Sequence, residues 1–178
     1  MSNLSKGIEK AEVQLLWDPS PLGMPDSDLD LLAATYFAHD PVGDPAYLVH
    51  FGSRAPDGTI TLNRDSKTGK GLGPDEILTL ELDRISRDYG RVVVGVAIQQ
   101  RGGRMVFGDI AQPEVRVLEG YTRLADLDFS TVAWATAASV AEFVRGESGG
   151  WLFRPQMRGF DTDLNTFART MGTPPGGR

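Results

Sequence analysis

Arg91-Val-Val-Val-Gly-Val-Ala-Ile98 is the stretch whose reading decides the fold. Five of its eight residues are β-branched; such side chains are stiff in a helix and pack well on a pleated sheet. The run is long enough for one strand and far too short to span a membrane. Ile77-Leu-Thr-Leu-Glu-Leu82, with a partial period of two, is its expected neighbour. Further out lie Val13–Trp17 and Leu31–Ala38, the latter continuous enough to be buried on both faces. Tyr47–Phe51 leads through the turn Ala55-Pro-Asp-Gly58 into Thr59–Leu62. Glu114–Leu118 alternates and should wet one face; Val132–Val144, with a break, and Trp151–Arg154 complete the set. About eight or nine short strands at regular turn spacing predict an all-β, two-sheet β-sandwich.

One or two short helices accompany the strands. Leu82–Tyr89 is a candidate connector. A C-terminal helix is expected after a cap at Asp161 or Thr162, with Leu164, Phe167, Ala168 and Met171 on one face and Gly172 as its stop. The chain reads as one domain over residues 1–172, with 173–178 a flexible tail.

Composition narrows the function. A net charge of −6 and an isoelectric point near 4.9 argue against non-specific nucleic-acid binding, which needs a basic face. The chain has no cysteine, which removes disulfides, thiolate catalysis, zinc–thiolate sites and iron–sulfur clusters. The N-terminal residues carry a glutamate and no apolar core, so no signal peptide is read there, and no run is long enough to insert across a membrane. A soluble, cytoplasmic protein is expected.

Chemistry concentrates in Arg64-Asp-Ser-Lys-Thr-Gly-Lys-Gly-Leu-Gly-Pro-Asp-Glu76. Gly69, Gly71 and Gly73 let this loop curl, since glycine takes positive φ without steric cost. Curling brings Asp65, Asp75 and Glu76 together and turns carbonyls inward, the oxygen-rich surroundings that Ca²⁺ prefers. Asp26-Ser-Asp28-Leu-Asp30 is a second acidic cluster. Neither is an EF-hand: Leu31 and Phe37 occupy positions six and twelve of the first, and Lys67 and Gly69 positions three and five of the second. A solvated acidic turn is the plainer alternative for any one of these residues. Thr68-Gly-Lys-Gly71 lacks the P-loop spacing. His39 and His50 stand outside any metal-binding spacing, and Gly146-Glu-Ser-Gly149 does not complete a nucleophile elbow. Trp17, Trp134, Trp151, Phe153 and Phe160 read as core.

Several segments then fall into one order. Leu4-Ser-Lys-Gly7, Trp17-Asp18, Asp28-Leu-Asp30 and Pro56-Asp-Gly58 come first. Asp65-Ser-Lys-Thr-Gly69, Gly73-Pro-Asp-Glu76, Gly149-Gly-Trp-Leu-Phe-Arg154 and Arg158-Gly-Phe160 with Leu164 follow. Together they resemble the TerD family of bacterial tellurium-resistance and general stress proteins, over nearly the whole chain. The resemblance implies a β-sandwich that binds Ca²⁺ through acidic loops, has no established enzymatic activity, and works with other stress-response proteins in membrane-associated complexes. Carried onto this sequence, it implies Asp28, Asp30, Asp65, Asp75 and Glu76 as metal ligands. The carbonyls of Lys67 and Gly69 are added by loop geometry.

The family loop usually reads G-D-N-x-T-G-x-G-x-G-D-D-E. Here Arg64, Ser66 and Pro74 replace its Gly, Asn and first paired Asp, and Lys70 and Leu72 stand where acids are common. The segment after Asp30 departs as well. Calcium affinity follows ligand charge, so one or both ion sites should be weakened. Three readings follow: a calcium-binding interaction module without catalysis, a divergent metal-free scaffold, and, well behind, a metal-dependent hydrolase.

Overall fold

The β-branched run becomes the middle strand of a five-stranded sheet. The computed structural model describes residues 7–101 and 103–175, less the side chains of Arg64 and Asp65; Leu4–Lys6 of the opening motif therefore lie outside the described residues. In chain order the strands are β1 (Ala11–Asp18), β2 (Leu29–Phe37), β3 (Tyr47–Val49), β4 (Ile60–Asp65), β5 (Glu76–Leu80), β6 (Tyr89–Ile98), β7 (Ala111–Glu119), β8 (Thr122–Asp128), β9 (Ala137–Arg145) and β10 (Trp151–Phe160). One sheet runs β4-β5-β1-β7-β8 and the other β10-β9-β6-β2-β3, so β5 is not the neighbour of β6 that the sequence suggested; β2 and β9 flank β6 instead. All pairings between these strands are antiparallel. The all-β, two-sheet expectation holds, with ten strands.

The core lies between the sheets. Along β1 only alternate residues, Ala11, Val13, Leu15 and Trp17, are buried, as a strand with one wet face requires. β2 is buried on both faces from Leu29 to Tyr36. Its odd residues Leu29, Leu31 and Ala33 enter the inter-sheet core with Val94 and Val96. Its even residues Leu32, Ala34 and Tyr36 face a second cluster with Val93, Phe167 and Met171. That cluster sits under the helix α1 (Leu164–Thr170). Gly95 makes room for the helix: a Cβ there would lie 2.6 Å from Phe167 Cζ. Burying Phe167 contributes about 1.5–3 kcal/mol.

Several boundaries differ from the sequence expectation. The cap of α1 is Asp163, whose carboxylate accepts from Thr166 N at 2.8 Å, rather than Asp161 or Thr162. Gly172 does end the helix region, yet its φ is not positive; it is required because a Cβ would strike the Tyr36 phenol. The Leu82–Tyr89 candidate contracts to one 3-10 turn, Leu82–Arg84. Val132–Thr136 is not strand, and β9 begins only at Ala137. Trp134, expected in the core, is exposed, whereas Trp17 and Trp151 are buried. Of the expected tail, Thr173 is tied back by its amide to Thr170 O at 2.9 Å and by its carbonyl to Arg158; residues 176–178 lie outside the described residues. Among the described residues no helix is long and apolar enough to cross a membrane.

Candidate metal centre

Leu15 pairs with Glu76, so the β4–β5 loop leaves the sandwich at the end where β1 finishes. Asp65 lies opposite Glu76 in the backbone ladder, and Ser66 N donates to Asp75 O at 3.0 Å to close the loop. Gly69, Gly71 and Gly73 have φ of 78°, 113° and 77°, the left-handed region that the sequence reserved for them. Gly69 lies flat against Trp17: a Cβ would sit 2.7 Å from the indole Cδ1 and closer still to Nε1. The same Nε1 donates to Ser27 O at 3.0 Å. One indole thus holds the β1–β2 loop and the glycine-rich loop together.

Among the described residues, four carboxylates are buried at this end. Relative exposure is 3% for Asp28, 4% for Asp30, 2% for Asp75 and 0% for Glu76. Burying a carboxylate is costly unless donors or cations meet it. Asp75 Oδ2 accepts from Trp17 N at 2.8 Å, while its own amide donates to Leu15 O at 2.8 Å. Glu76 Oε1 accepts from Leu31 N at 2.7 Å. Asp30 Oδ2 accepts from Gln99 Nε2 at 2.5 Å. Asp28 Oδ2 pairs with Arg101 Nη2 at 2.9 Å, and its carbonyl accepts from Gln99 N at 2.8 Å.

The four come from both sheets. Asp75 and Glu76 belong to the β4–β5 side, and Asp28 and Asp30 to the start of β2. Alternation gives Asp30 the parity of Leu32, Ala34 and Tyr36, not that of the inter-sheet core. Glu76 joins the two groups, because Leu31, whose amide it accepts, directly follows Asp30. The other two candidates, Lys67 and Gly69, lie within the glycine-rich loop. Lys67 is exposed, with Nζ 5.8 Å from the Phe51 ring centre. Gly69 N donates to Ser66 Oγ at 3.1 Å. The Asp65 side chain lies outside the described residues.

The donor set is all oxygen, which suits a hard cation. Among the described residues, however, no three His, Asp or Glu side chains are gathered closely enough to hold one ion. Gln99 and Arg101 escaped the sequence reading. They become neighbours of the aspartates only because β2 pairs with β6, Leu29 opposite Ile98, and no local spacing encodes that. A cleft of about 490 Å³ opens beside the centre, lined by Trp17, Gly69, Leu72, Asp75 and Glu114 among others.

The other candidates are placed apart. His39 is exposed and stacks on Phe37, ring centres 5.1 Å apart. His50 Nδ1 accepts from Gly52 N at 3.1 Å, and burial lowers the imidazole pKa below its ordinary value. Ser148 lies in the turn between β9 and β10.

Two antiparallel five-stranded sheets, with buried carboxylates under a glycine-rich loop at one end, define an acid-ended β-sandwich. The TerD domain matches residues 1–171, and the chain belongs to the TerD family. Tellurium resistance protein TerD of Alcaligenes sp. is 27% identical over 97% of this chain and 92% of its own length. The Serratia marcescens protein of the same name is 26% identical over the same shares. Among solved structures, SAV2460, described as of unknown function, shares 57% identity and superposes with a TM-score of 0.92 over 95% of this chain and 99% of its own. SCO6318 of Streptomyces coelicolor, described as a homologue of a telluride resistance protein (TerD), shares 50% identity with a TM-score of 0.91, over 94% of this chain and 100% of its own.

Proposed function

We propose that this chain is a calcium-binding interaction module of the tellurite-resistance and stress-response type, cytoplasmic and without catalytic activity. The observation that carries the reading is the burial of Asp28, Asp30, Asp75 and Glu76 at the end where the glycine-rich loop folds over Trp17. Tellurium-resistance relatives that align along nearly the whole chain support the physiological setting. Ca²⁺ would neutralise the carboxylates of this end. Asp65, opposite Glu76 in the ladder, is the acid the loop adds. Carboxylates held this close repel one another, so ion binding orders the loop. Partners are other stress-response proteins, met in assemblies at a membrane.

The test is calorimetric titration of chelator-stripped protein with Ca²⁺, with Mg²⁺ as control, alongside melting curves in chelator and in millimolar calcium. Saturable, calcium-selective heat and a raised melting temperature, both removed by Asp65→Ala, are expected; an ion at 100 times its Kd adds about 2.7 kcal/mol. Absence of heat together with equal melting temperatures overturns the reading.

One observation favours a second reading. Arg101 and Gln99 already engage Asp28 and Asp30, as a metal-free scaffold would arrange them. On that reading the set of captured partners is unchanged by chelator.

A further inference from the structure

The sandwich gapes between β3 and β4. Each is the end strand of its own sheet, β3 beside β2 and β4 beside β5. β3 is three residues long and covers little of that margin. The chain crosses from one margin to the other through residues 50–59, and a cavity of about 510 Å³ opens there. Small-molecule sites occupy roughly 300–1,000 Å³. The floor of this one is the core itself: Val49 and Ile60 line it, each 2% exposed, and both pack between the sheets. Leu62, partly buried against the same core, adds a wall. An apolar body leaves water here without disturbing any strand pairing.

The mouth is polar. His50 and Ser53 close a tight turn, each amide bonded to the other's carbonyl at 3.0 Å. Gly52 N donates to His50 Nδ1, so the ring proton sits on Nε2, which remains a donor. Burial holds this imidazole below its ordinary pKa, and the ring is neutral near neutrality. Arg54 is the charged residue of the lining, and among the described residues it pairs with no carboxylate. Asp57, close to it in sequence, is already engaged: its Oδ1 accepts from Thr59 N at 3.1 Å and from Thr59 Oγ1 at 2.7 Å. Lys67 stays outside the lining, its Nζ 5.8 Å from the centre of the Phe51 ring. The lining itself thus holds one positive charge, one neutral N–H donor and no acid. A guanidinium is a planar fork that matches a carboxylate, and one cation balances a carboxylate better than a phosphate monoester with nearly two negative charges.

We propose that the cavity between β3 and β4 binds a small monocarboxylate with an apolar body, its carboxylate at Arg54 and the His50 Nε2–H and its body over Val49 and Ile60. The site uses none of the buried acids of the metal centre, so its test is run in chelator and stands apart from the calcium reading. The probe is 3-phenylpropionate, titrated into the full chain and followed by the magnetic resonance shifts of the His50 ring and the Arg54 side chain. Saturable binding with a Kd of about 1 mM or tighter is expected. Neutral 3-phenylpropanamide, which lacks the charge, and propionate, which lacks the ring, should each bind at least about tenfold more weakly. Arg54→Gln should abolish the preference for acid over amide while melting like the parent, since the side chain is exposed and forms no ion pair among the described residues. No saturable shift up to about 10 mM overturns the proposal. So does equal binding of acid and amide, or a preference that survives Arg54→Gln. Propionate binding as tightly as 3-phenylpropionate would reduce the site to a surface arginine and overturn it as well.

Discussion

Replacing Gly69 by alanine isolates how tightly the glycine-rich loop is seated. Two costs add. At φ 78° an alanine occupies the left-handed region, a strain of about 1–2 kcal/mol. Its Cβ also has to displace the Trp17 indole, 2.7 Å away at Cδ1. That shift loosens the 3.0 Å bond to Ser27 O and the packing of a buried ring, together about 1–2 kcal/mol. Gly73→Ala supplies the control: φ is 77° there, but a Cβ meets nothing within 4 Å. Strain is common to both, so the difference between them measures the indole contact alone. For a domain of this size each kcal/mol moves Tm by about 2–4 °C. Gly69→Ala should therefore melt roughly 2–8 °C below Gly73→Ala by thermal circular dichroism. Hydrogen exchange of the Trp17 indole N–H should quicken in Gly69→Ala only. Equal melting temperatures for the two variants would refute the account of a loop seated on Trp17.

Two other outcomes are expected. Arg91 Nε pairs with Glu142 Oε2 at 2.5 Å, and its Nη1 donates to Pro41 O and Gly172 O at 3.0 and 2.7 Å; Arg91→Ala leaves a largely buried carboxylate with the longer 3.8 Å pairing to the exposed Arg154 and should cost up to about 3–5 kcal/mol in denaturant unfolding. Asp163 caps α1, and its bonds to Thr166 hold its carboxyl below the usual range. A depressed folded pKa contributes stability that is full above the unfolded pKa and lost as pH falls through the folded one. Amides of Leu164–Thr170 should therefore exchange faster in Asp163→Ala than in the parent near neutrality, and the gap should close in acid.

The sequence disclosed most where a pattern is local. β-branched density located β6, unbroken apolarity gave β2 its two buried faces, and i, i+3, i+4, i+7 spacing found the face of α1. β8 was missed because Thr122-Arg-Leu-Ala-Asp-Leu-Asp128 is an edge strand whose charges keep other chains from pairing with it. β10 ran past its expected end because Pro155 sits where the register with β9 shifts, and pairing resumes at Arg158. In the metal centre, the acids and the curled glycines were legible one loop at a time. Their burial was not, nor were the anchors: Leu31 N lies 45 residues from Glu76 and Gln99 lies 69 from Asp30. The β2–β6 pairing creates the second meeting and the stacking of one sheet on the other creates the first, and one-dimensional spacing carries no trace of either.

Glu76 has a consequence for reading related chains. β3 pairs with β2 only at Ala33–Thr35, so the Leu31 amide lies beyond its reach, and the Glu76 carboxylate stands in for the missing strand. A buried amide must be satisfied whatever the protein does. Selection on folding alone would therefore retain an acceptor at this place in a lineage that never meets a metal. A glutamate aligned here testifies to sheet architecture first. Ancestral loss or gain of ion binding has to be traced through residues that the fold can spare.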